Sequence, residues 1–461
     1  MTRGLTYVAL ASVLVLSGCT VGPNYSRPPV NVPPSYRNQT PEAQANESTV
    51  KSLGDEKWWT VFKDPELEKL IRQARQSDYN AQIAASHLLQ AQQELTITRA
   101  DQFPTVNGTL QFQGQKVPGF AFKYFSLGGA LNWDPDFWGR YRRATEAARA
   151  NILAAEWNRQ EVLLTLFSNV ASAYFQLREL DLELEISKRA LESRKQSLQL
   201  TETLLNGGSV GLLDVRQAEQ LVETAAAQIP ATEQAIGQTE DLISTLIGDN
   251  PHDIPRGKQL VEEELPSDIP AGLPSRLLER RPDIRQSEQQ LVAANAQIGV
   301  ARAQLFPSLP LTGSAGLVNS ALGSLFVGGG TGWTAAAPLT QPIFEAGRLR
   351  ANVRLTEAEQ QQAVLQYKQT IQQAFQQVAD SLIAFRKYRE YREHEQVLED
   401  AAKSASDLSH LRYNAGATSY LEVLTNETNY FASELNVARA QLNERLSLVQ
   451  VYTALGGGWV M

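Results

Sequence analysis

Residues 163–177 read LLTLFSNVASAYFQL, and residues 371–385 read IQQAFQQVADSLIAF. In the first stretch, apolar side chains recur at steps of four, three, four and three residues, on Leu163, Phe167, Val170, Tyr174 and Leu177. The same steps in the second stretch fall on Ile371, Phe375, Val378, Leu382 and Phe385. This spacing is typical of a coiled-coil seam, so both stretches are predicted to be packed helices.

Each seam lies within a long segment without proline, Gly139–Asn206 in the first case and Gly347–Asn414 in the second. Each segment has 68 residues. As an α-helix it would be about 100 Å long, far longer than a helix packed on an ordinary globular core. The sequence therefore predicts two very long helices.

The two long segments belong to an internal repeat. RADQFP at 99–104 corresponds to RAQLFP at 302–307. At an offset of 208 residues, Asn206, Gly208, Leu213, Asp214 and Val215 correspond to Asn414, Gly416, Leu421, Glu422 and Val423. Such self-similarity predicts two copies of one unit, each with a helix, two strands, a very long helix, a tight turn and a helix.

The shorter helices have recognisable starts. Asp64-Pro65 places a capping acid before a proline at the first helical position, and Pro282-Asp283 opens the second unit in a similar way. Helices are predicted at 80–99 and 212–246, with two short amphipathic helices at 65–77 and 273–280.

Between the helices the hydrophobic period changes to two residues, which is typical of strands. The apolar positions are Leu110 and Phe112, then Phe125 to Trp133, then Leu309 to Leu317, then Trp333 to Leu339. Strands of about ten residues with one polar face suit an outer-membrane barrel and also a soluble sandwich with one wet face. Periodicity alone leaves both alternatives open.

The N-terminus carries a secretion signal. Arg3 precedes an apolar run, Leu5 to Leu16, which is too short to cross a bilayer. The following Leu16-Ser17-Gly18-Cys19 resembles the lipobox of bacterial lipoproteins, in which the signal is cut before an acylated cysteine. The alternative is a lone buried cysteine at the end of a hydrophobic segment. Thr20 stands where inner-membrane lipoproteins usually have aspartate, so the resemblance implies the outer membrane.

Composition argues against several other classes. A formal net charge of -8 makes a nucleic-acid partner improbable. The single cysteine permits neither an internal disulfide nor a cysteine metal cage, and the four histidines are widely scattered. We therefore expect no catalytic residue, no metal site, and no cofactor apart from a covalent lipid on Cys19.

Export and lipidation favour the membrane alternative for the strands. In lipid every sheet edge must be paired, and four strands per chain cannot close a barrel. Two copies would supply eight strands, and side chains fill the interior of a barrel of that size. Three copies would supply twelve strands and leave an open lumen. The predicted fold class is mainly α with a transmembrane β-barrel, a trimeric 12-stranded barrel continued by an α-helical coiled-coil barrel.

Together these features resemble TolC-type outer-membrane efflux lipoproteins, the branch that includes OprM, CusC and NodT-like proteins. The motifs that carry the resemblance are the lipobox, VGPNY (21–25), WW (58–59), RPDI (281–284), FPS (306–308), PIFEAGR (342–348), YNAG (413–416), SYLEVL (419–424) and LGGGW (455–459). They cover essentially the whole mature chain.

The resemblance implies a homotrimeric channel that performs no chemistry. It would join a periplasmic adaptor protein and an inner-membrane pump into a tripartite exporter, anchored in outer-membrane lipid by N-palmitoyl and S-diacylglycerol groups on Cys19 and extending into the periplasm. The implied segments are a signal peptide (1–18), a lipidated linker (19–57), a first efflux repeat (58–250, strands about 104–134), an inter-repeat linker (251–274) and a second repeat (275–461, strands about 307–341).

The helix-turn-helix tips are the candidate gate. The resemblance places them at the closed periplasmic entrance, in contact with the adaptor, and implicates Gly208, Leu213 and Asp214 in one copy and Gly416, Leu421 and Glu422 in the other. The alternatives are that these loops are turns and nothing more, and that the two acids only favour the helix dipole. Related channels often carry aspartate where this chain has Thr425.

Two rival functions remain. A periplasmic adaptor or scaffold protein is also lipidated and coiled-coil, but it carries one hairpin among small β-domains rather than a duplicated hairpin. A secreted coiled-coil enzyme would need a cluster of catalytic residues, and the sequence offers no candidate for one.

Overall fold

The fold was analysed in a computed structural model that describes residues 20–37, 58–260, 265, 274–327 and 330–457. Cys19 and the predicted signal peptide lie outside the described residues. The α-helices are α1 (Pro65–Ser77), α2 (Tyr79–Ala100), α3 (Arg140–Asn206), α4 (Leu212–Leu246), α5 (Pro274–Arg280), α6 (Pro282–Ala303), α7 (Arg348–Asn414) and α8 (Tyr420–Ala454). The strands are β1 (Thr105–Val117), β2 (Phe120–Trp133), β3 (Leu311–Asn319) and β4 (Gly330–Ala336), and short 3₁₀ helices cover Trp58–Phe62 and Leu322–Ser324. The predicted order of helix, two strands, long helix and helix occurs twice.

The long helices are confirmed, but each is one residue shorter than predicted. Both α3 and α7 have 67 residues and begin at Arg140 and Arg348. Gly139 and Gly347 do not belong to them because their φ angles are 77° and 85°, in the left-handed region that a right-handed helix excludes. The predicted seam is buried, with Val170 and Tyr174 fully inaccessible to solvent.

The strands form one antiparallel sheet in the order β1-β2-β3-β4. The register pairs Leu110 with Leu127 and Phe112 with Phe125, so the predicted apolar residues share one face. The second pair of strands is shorter than predicted, because β3 begins after Pro310 and β4 ends before Pro338. Proline cannot donate a hydrogen bond to the ladder, which limits both strands.

The two faces of the sheet differ in chemistry, as the register shows. One face, called here the polar face, contains Thr105, Asn107, Thr109, Gln111, Gln113, Gln115, Val117, Phe120, Phe122, Tyr124, Ser126, Gly128, Ala130, Asn132, Thr312, Ser314, Gly316, Val318, Gly330, Gly332, Thr334 and Ala336. The opposite face, called the apolar face, includes Leu110, Phe112, Phe125, Leu127, Leu131, Trp133, Leu311, Leu317 and Trp333. This difference is typical of a sheet whose two sides meet different solvents.

The chain divides into two compact units. Unit 1 contains, of the described residues, 20–30, 86–157, 286–327 and 330–369, and therefore the whole sheet. Its helices α3 and α6 meet through small side chains, Ala147 and Ala150 against Ala293 and Ala296. Small residues let two helix backbones approach closely, which fixes the helices next to the sheet.

Unit 2 contains, of the described residues, 31–37, 58–85, 158–260, 265, 274–285 and 370–457. Its core is aromatic. The ring of Trp58 stacks on Tyr452 of α8 at 5.7 Å, and Trp59 contacts Phe167 of α3 at 5.3 Å. Asp64 caps α1 as predicted, because its carboxylate accepts hydrogen bonds from the N–H groups at the start of that helix.

None of the helices in these described ranges combines the length and the apolar character that a bilayer-crossing helix requires.

Candidate functional site

At the two predicted tips, residues 206–211 and 414–419, the long helices end in the same way. The N–H groups of Gly208 and Ser209 each donate to a carbonyl in the last turn of α3 at 2.9 Å. Gly416 and Ala417 repeat these bonds on α7, also at 2.9 Å. Both glycines are left-handed, with φ angles of 74° and 68°. This pattern is a Schellman motif, which satisfies the terminal carbonyls and reverses the chain tightly.

The tip acids make local contacts. The Oδ2 atom of Asp214 accepts the N–H of Gly211 at 3.0 Å, so this carboxylate caps the start of α4. The Glu422 carboxylate accepts the hydroxyl proton of Thr418 and lies 3.5 Å from the guanidinium of Arg412. Each acid thus has a structural role in addition to the gate role, which stays a prediction.

The predicted tip leucines face outward. Leu213 is 69% exposed and Leu421 is 55% exposed, although both stand in the first turn of long packed helices. The hydroxyl group of Thr425 donates a hydrogen bond to the carbonyl of Leu421 at 2.8 Å. The tips therefore present apolar side chains flanked by acids.

A shared aromatic layer holds the two tips side by side. Tyr413 of α7 and Tyr420 of α8 pack edge to face, with ring centroids 5.2 Å apart. Tyr420 also packs with Val423 and with Ala218 of α4, and Leu198 of α3 borders the same cluster. All four helices of unit 2 that form the hairpins contribute, so the structure brings together the two predicted tips.

Beneath this layer lies a charged cluster, in which buried Arg194 of α3 and buried Glu427 of α8 meet half-buried His410 of α7. The Nε2 atom of His410 is 2.6 Å from Oε1 of Glu427, and Nε of Arg194 is 3.8 Å from the other carboxylate oxygen. Arg194 also donates to the carbonyl of Leu221 at 3.0 Å and stacks over the ring of Phe431 at 4.6 Å. The cluster ties three helices together through one carboxylate.

The surroundings shift the pKa values of His410 and Arg194. The hydrogen bond to Glu427 raises the pKa of His410 above its ordinary value, although burial works in the opposite direction. Burial lowers the pKa of Arg194, while Glu427 opposes that change. His410 therefore keeps its proton to a higher pH than an ordinary histidine does.

A cavity of about 570 Å³ opens beside the cluster. Its charged and titratable lining is mixed in sign, with Arg189, Arg194, Lys403 and His410 against Glu399, Asp407, Glu427 and Glu434. Balanced charges of this kind do not favour a ligand of one sign. In the described parts of the chain, no three histidine, cysteine or acidic side chains are grouped as metal ligands.

Sequence analysis missed this charged cluster. Arg194, His410 and Glu427 correspond in the repeat to Ala402, Glu202 and Glu219, so the duplication does not preserve the cluster. The break in the repeat at Arg194 and His410 is the sequence signal that could have pointed to the cluster.

The comparisons with known proteins agree with this architecture. The family model described as "Outer membrane efflux protein" matches residues 70–249 and 273–457. The chain is 35% identical over 459 residues to the solvent efflux pump outer membrane protein SrpC of Pseudomonas putida, covering 97% of each chain. It is 34% identical over 455 residues to the cation efflux system protein CusC of Escherichia coli, again covering 97% of each.

Solved structures are similar over nearly the whole chain. The open state of the MtrE outer membrane channel of Neisseria gonorrhoeae has a TM-score of 0.86 at 32% identity, covering 96% of this chain and 99% of that one. The CmeC outer membrane channel of Campylobacter jejuni has a TM-score of 0.88 at 26% identity, covering 95% of each.

Proposed function

Because this chain belongs to the outer membrane efflux protein family, it is an outer-membrane efflux channel, and we propose that three copies close one pore. Within the sheet, β1 and β4 are the edges. In lipid, unpaired edges of this kind cost several kcal/mol for each unsatisfied group. Pairing β4 of one copy with β1 of the next removes every edge and gives twelve strands, enough to enclose a lumen.

The observation that carries this proposal is the register of the sheet. Across four strands it collects Gln111, Gln113 and Ser314 on one face, and Leu110, Leu127 and Leu317 on the other. A barrel in a membrane needs its apolar side toward lipid and its polar side toward the water-filled interior. The two faces supply both surfaces.

The α-helical tips are then the periplasmic mouth of the channel. A helix of 67 residues rises about 100 Å, which suits a duct that crosses the periplasm. The tips would contact a periplasmic adaptor protein, which connects the channel to an inner-membrane pump. The pump supplies the energy, and the channel is a passive conduit for small molecules or ions.

The lipid anchor belongs to the same proposal. The described chain begins at Thr20, one residue after Cys19, and the N–H of Val21 donates to the carbonyl of Trp138 at 3.0 Å. This bond holds Val21 close to the end of β2, where the proposed barrel would leave the membrane. Two or three acyl chains on Cys19 would anchor that point durably, whereas a single chain binds reversibly. We assign 1–18 to the signal peptide, 19–57 to the lipidated linker, 58–250 and 275–461 to the two repeats, and 251–274 to the linker between them.

Adjacent substitutions on opposite faces test the barrel. Leu110→Asp puts a charge on the apolar face, whereas Gln111→Asp puts the same charge on the polar face one residue away. Membrane fractions are analysed on a gel with and without heating, and assembled protein is weighed by native mass spectrometry. We expect wild type and Gln111→Asp to form heat-sensitive trimers and Leu110→Asp to be lost from the membrane. Stable monomers, or the reverse pattern of the two variants, would contradict the trimeric barrel.

A further inference from the structure

Three aromatic side chains interrupt the polar face of the sheet. Phe120, Phe122 and Tyr124 alternate along β2, next to the turn at 118–119 that joins it to β1. Ring centroids of Phe120 and Phe122 are 5.7 Å apart, and those of Phe122 and Tyr124 are 6.0 Å apart with the ring planes 8° from parallel. We call these three residues the aromatic column.

The column has polar neighbours across the hairpin. Phe122 is paired with Gln115 and Tyr124 with Gln113, and the Tyr124 hydroxyl donates to the amide oxygen of Gln113. Phe120 is 60% exposed. An exposed ring such as that of Phe120 gains little from folding, and departures of this kind from the pattern of a sheet concentrate at functional sites.

Anchoring at the membrane interface does not account for the column. Interfacial aromatics belong on the lipid side of a barrel. On the apolar face, Phe112 and Phe125 pair at 4.8 Å, and Lys116 and Lys123 follow them toward the turn. That set already has the aromatic and basic composition of an interface. The column points to the opposite side.

Resting on the proposed channel function, we propose that the aromatic column lines the outer end of the lumen and binds aromatic solutes by stacking as they leave. A threefold channel presents three columns around one opening. The glutamine amides beside them can exchange hydrogen bonds with a passing solute. Contacts of this kind are individually weak, which conduction requires, because a solute must leave a site as readily as it enters.

The chemistry of the polar face indicates which class of solute the column would bind. None of its members in the four described strands is charged, so a charged aromatic solute meets rings rather than counter-ions. An aromatic cation gains further from the negative faces of the rings. Soft metal ions fit poorly, because the chain has one cysteine, Cys19, and two methionines, Met1 and Met461. The column therefore favours neutral or cationic aromatic molecules.

Matched ligands and matched variants test the column. Full-length trimer in lipid nanodiscs is titrated with benzyltrimethylammonium and with its saturated analogue, cyclohexylmethyltrimethylammonium, and binding is followed by saturation-transfer NMR against empty nanodiscs. We expect wild type to prefer the aromatic ion. In the double variant Phe122→Leu/Tyr124→Leu, which keeps apolar volume, the dissociation constant of the aromatic ion should rise about fivefold. Phe125→Leu, on the apolar face, should leave it within about twofold of wild type.

The outcomes separate the two proposals. Equal binding of both ions by wild type, or no effect of the double variant on an intact trimer, overturns the aromatic column and leaves the channel proposal intact. A loss as large in Phe125→Leu also overturns it, because the rings would then act through the fold. If the double variant does not assemble, Tyr124→Leu alone, which should show about a twofold rise, decides the question. Wild type that forms no trimer contradicts the channel proposal itself.

Discussion

The Nε2 atom of His410 lies 2.6 Å from Oε1 of Glu427, and this contact joins α7 to α8 just beneath the tips. Arg194 approaches the same carboxylate from α3 at 3.8 Å. Glu427 is buried, and His410 and Arg194 are the two basic side chains that face its carboxylate. The packing of α3, α7 and α8 below the tips is therefore linked to the protonation of His410.

The tips should become less stable as pH rises. The pKa of His410 is raised in the folded protein, chiefly by Glu427. Its stabilising contribution is therefore complete below the pKa of an unfolded histidine, about 6.5, and is lost as pH rises through the higher folded value. Hydrogen exchange of residues 405–430, corrected for intrinsic rates, should be slower at pH 6 than at pH 9.

Two histidine variants provide the comparison. His410→Gln should remove most of the pH dependence, whereas His394→Gln, at an exposed position on the same helix, should keep it. An unchanged pH dependence in His410→Gln would show that Asp407 or another neighbouring group is responsible.

Removing the buried Arg194 should lower the stability of the surrounding helices more than removing a surface arginine. Arg194→Met leaves Glu427 buried with a single titratable partner, and breaking a buried pair typically costs about 3–5 kcal/mol. Arg216→Met breaks an exposed pair with Glu219, for which about 0–1 kcal/mol is typical. The free energy of local opening, measured by native-state hydrogen exchange, should therefore fall more in Arg194→Met than in Arg216→Met. Equal losses would mean that water reaches the Arg194 site.

At high pH, a neutral side chain at position 179 should make the folded protein more stable than glutamate does. Burial, together with the neighbouring Glu183, raises the pKa of Glu179 to about 8. An unfolded glutamate ionises at about 4.3, so the folded state loses stability as pH rises from there through about 8. Glu179→Gln should therefore open less readily than wild type at pH 9 and about equally at pH 4.

Glu183→Gln is the control for that prediction, because Glu183 accepts a hydrogen bond from Arg439 at 3.0 Å. We expect it to weaken the contact between α3 and α8 at pH 9. If Glu179→Gln instead destabilises the same helices at pH 9, the ionised carboxylate of Glu179 is stabilised by its surroundings, and the raised pKa is wrong.

Cys19 is expected to be the acylated N-terminus of the mature protein. Metabolic labelling with an alkynyl palmitate should mark wild type and leave Cys19→Ala unlabelled, and equal labelling would refute lipidation at this residue. Export should weaken rather than vanish in Cys19→Ala, because the proposed barrel itself would hold the protein in the membrane.

The sequence predicted those features that depend on local patterns. The coiled-coil seam at Phe167 and Val170 and the cap at Asp64 were predicted correctly, since helical period and capping chemistry act over a few residues. Helix ends were missed by one residue at Gly139 and Gly347, where the backbone angle rather than the residue type sets the boundary.

Features that depend on distant pairs were missed. Nothing in the sequence shows that Arg194 meets Glu427, which is more than two hundred residues away. Phe120, Phe122 and Tyr124 were overlooked because Phe125 lies on the other face of the same strand, so near the turn both faces are aromatic. Only the register separates them.

The tips should control the current through the channel. Leu421 is 55% exposed in the first turn of α8, and three copies in a trimer would bring three such side chains around one opening. An apolar constriction opposes the passage of hydrated ions, so Leu421→Ser should raise the conductance in planar bilayers. Leu212→Ser, at an exposed leucine in the first turn of α4, is the matched control and should have a smaller effect.

The roles of the tip acids Asp214 and Glu422 are tested with variants that remove the charge but keep the oxygen that accepts the hydrogen bond. Asp214→Asn keeps an oxygen that can accept the N–H of Gly211 but removes the charge, and Glu422→Gln does the same beside Thr418. If the acids form a negative ring, the double variant should lower the preference for cations, with a larger difference at low salt where screening is weak. If they serve only as helix-terminal groups, selectivity stays unchanged. Currents unchanged in Leu421→Ser, Asp214→Asn and Glu422→Gln alike would exclude these residues from the gate, while the channel itself would remain.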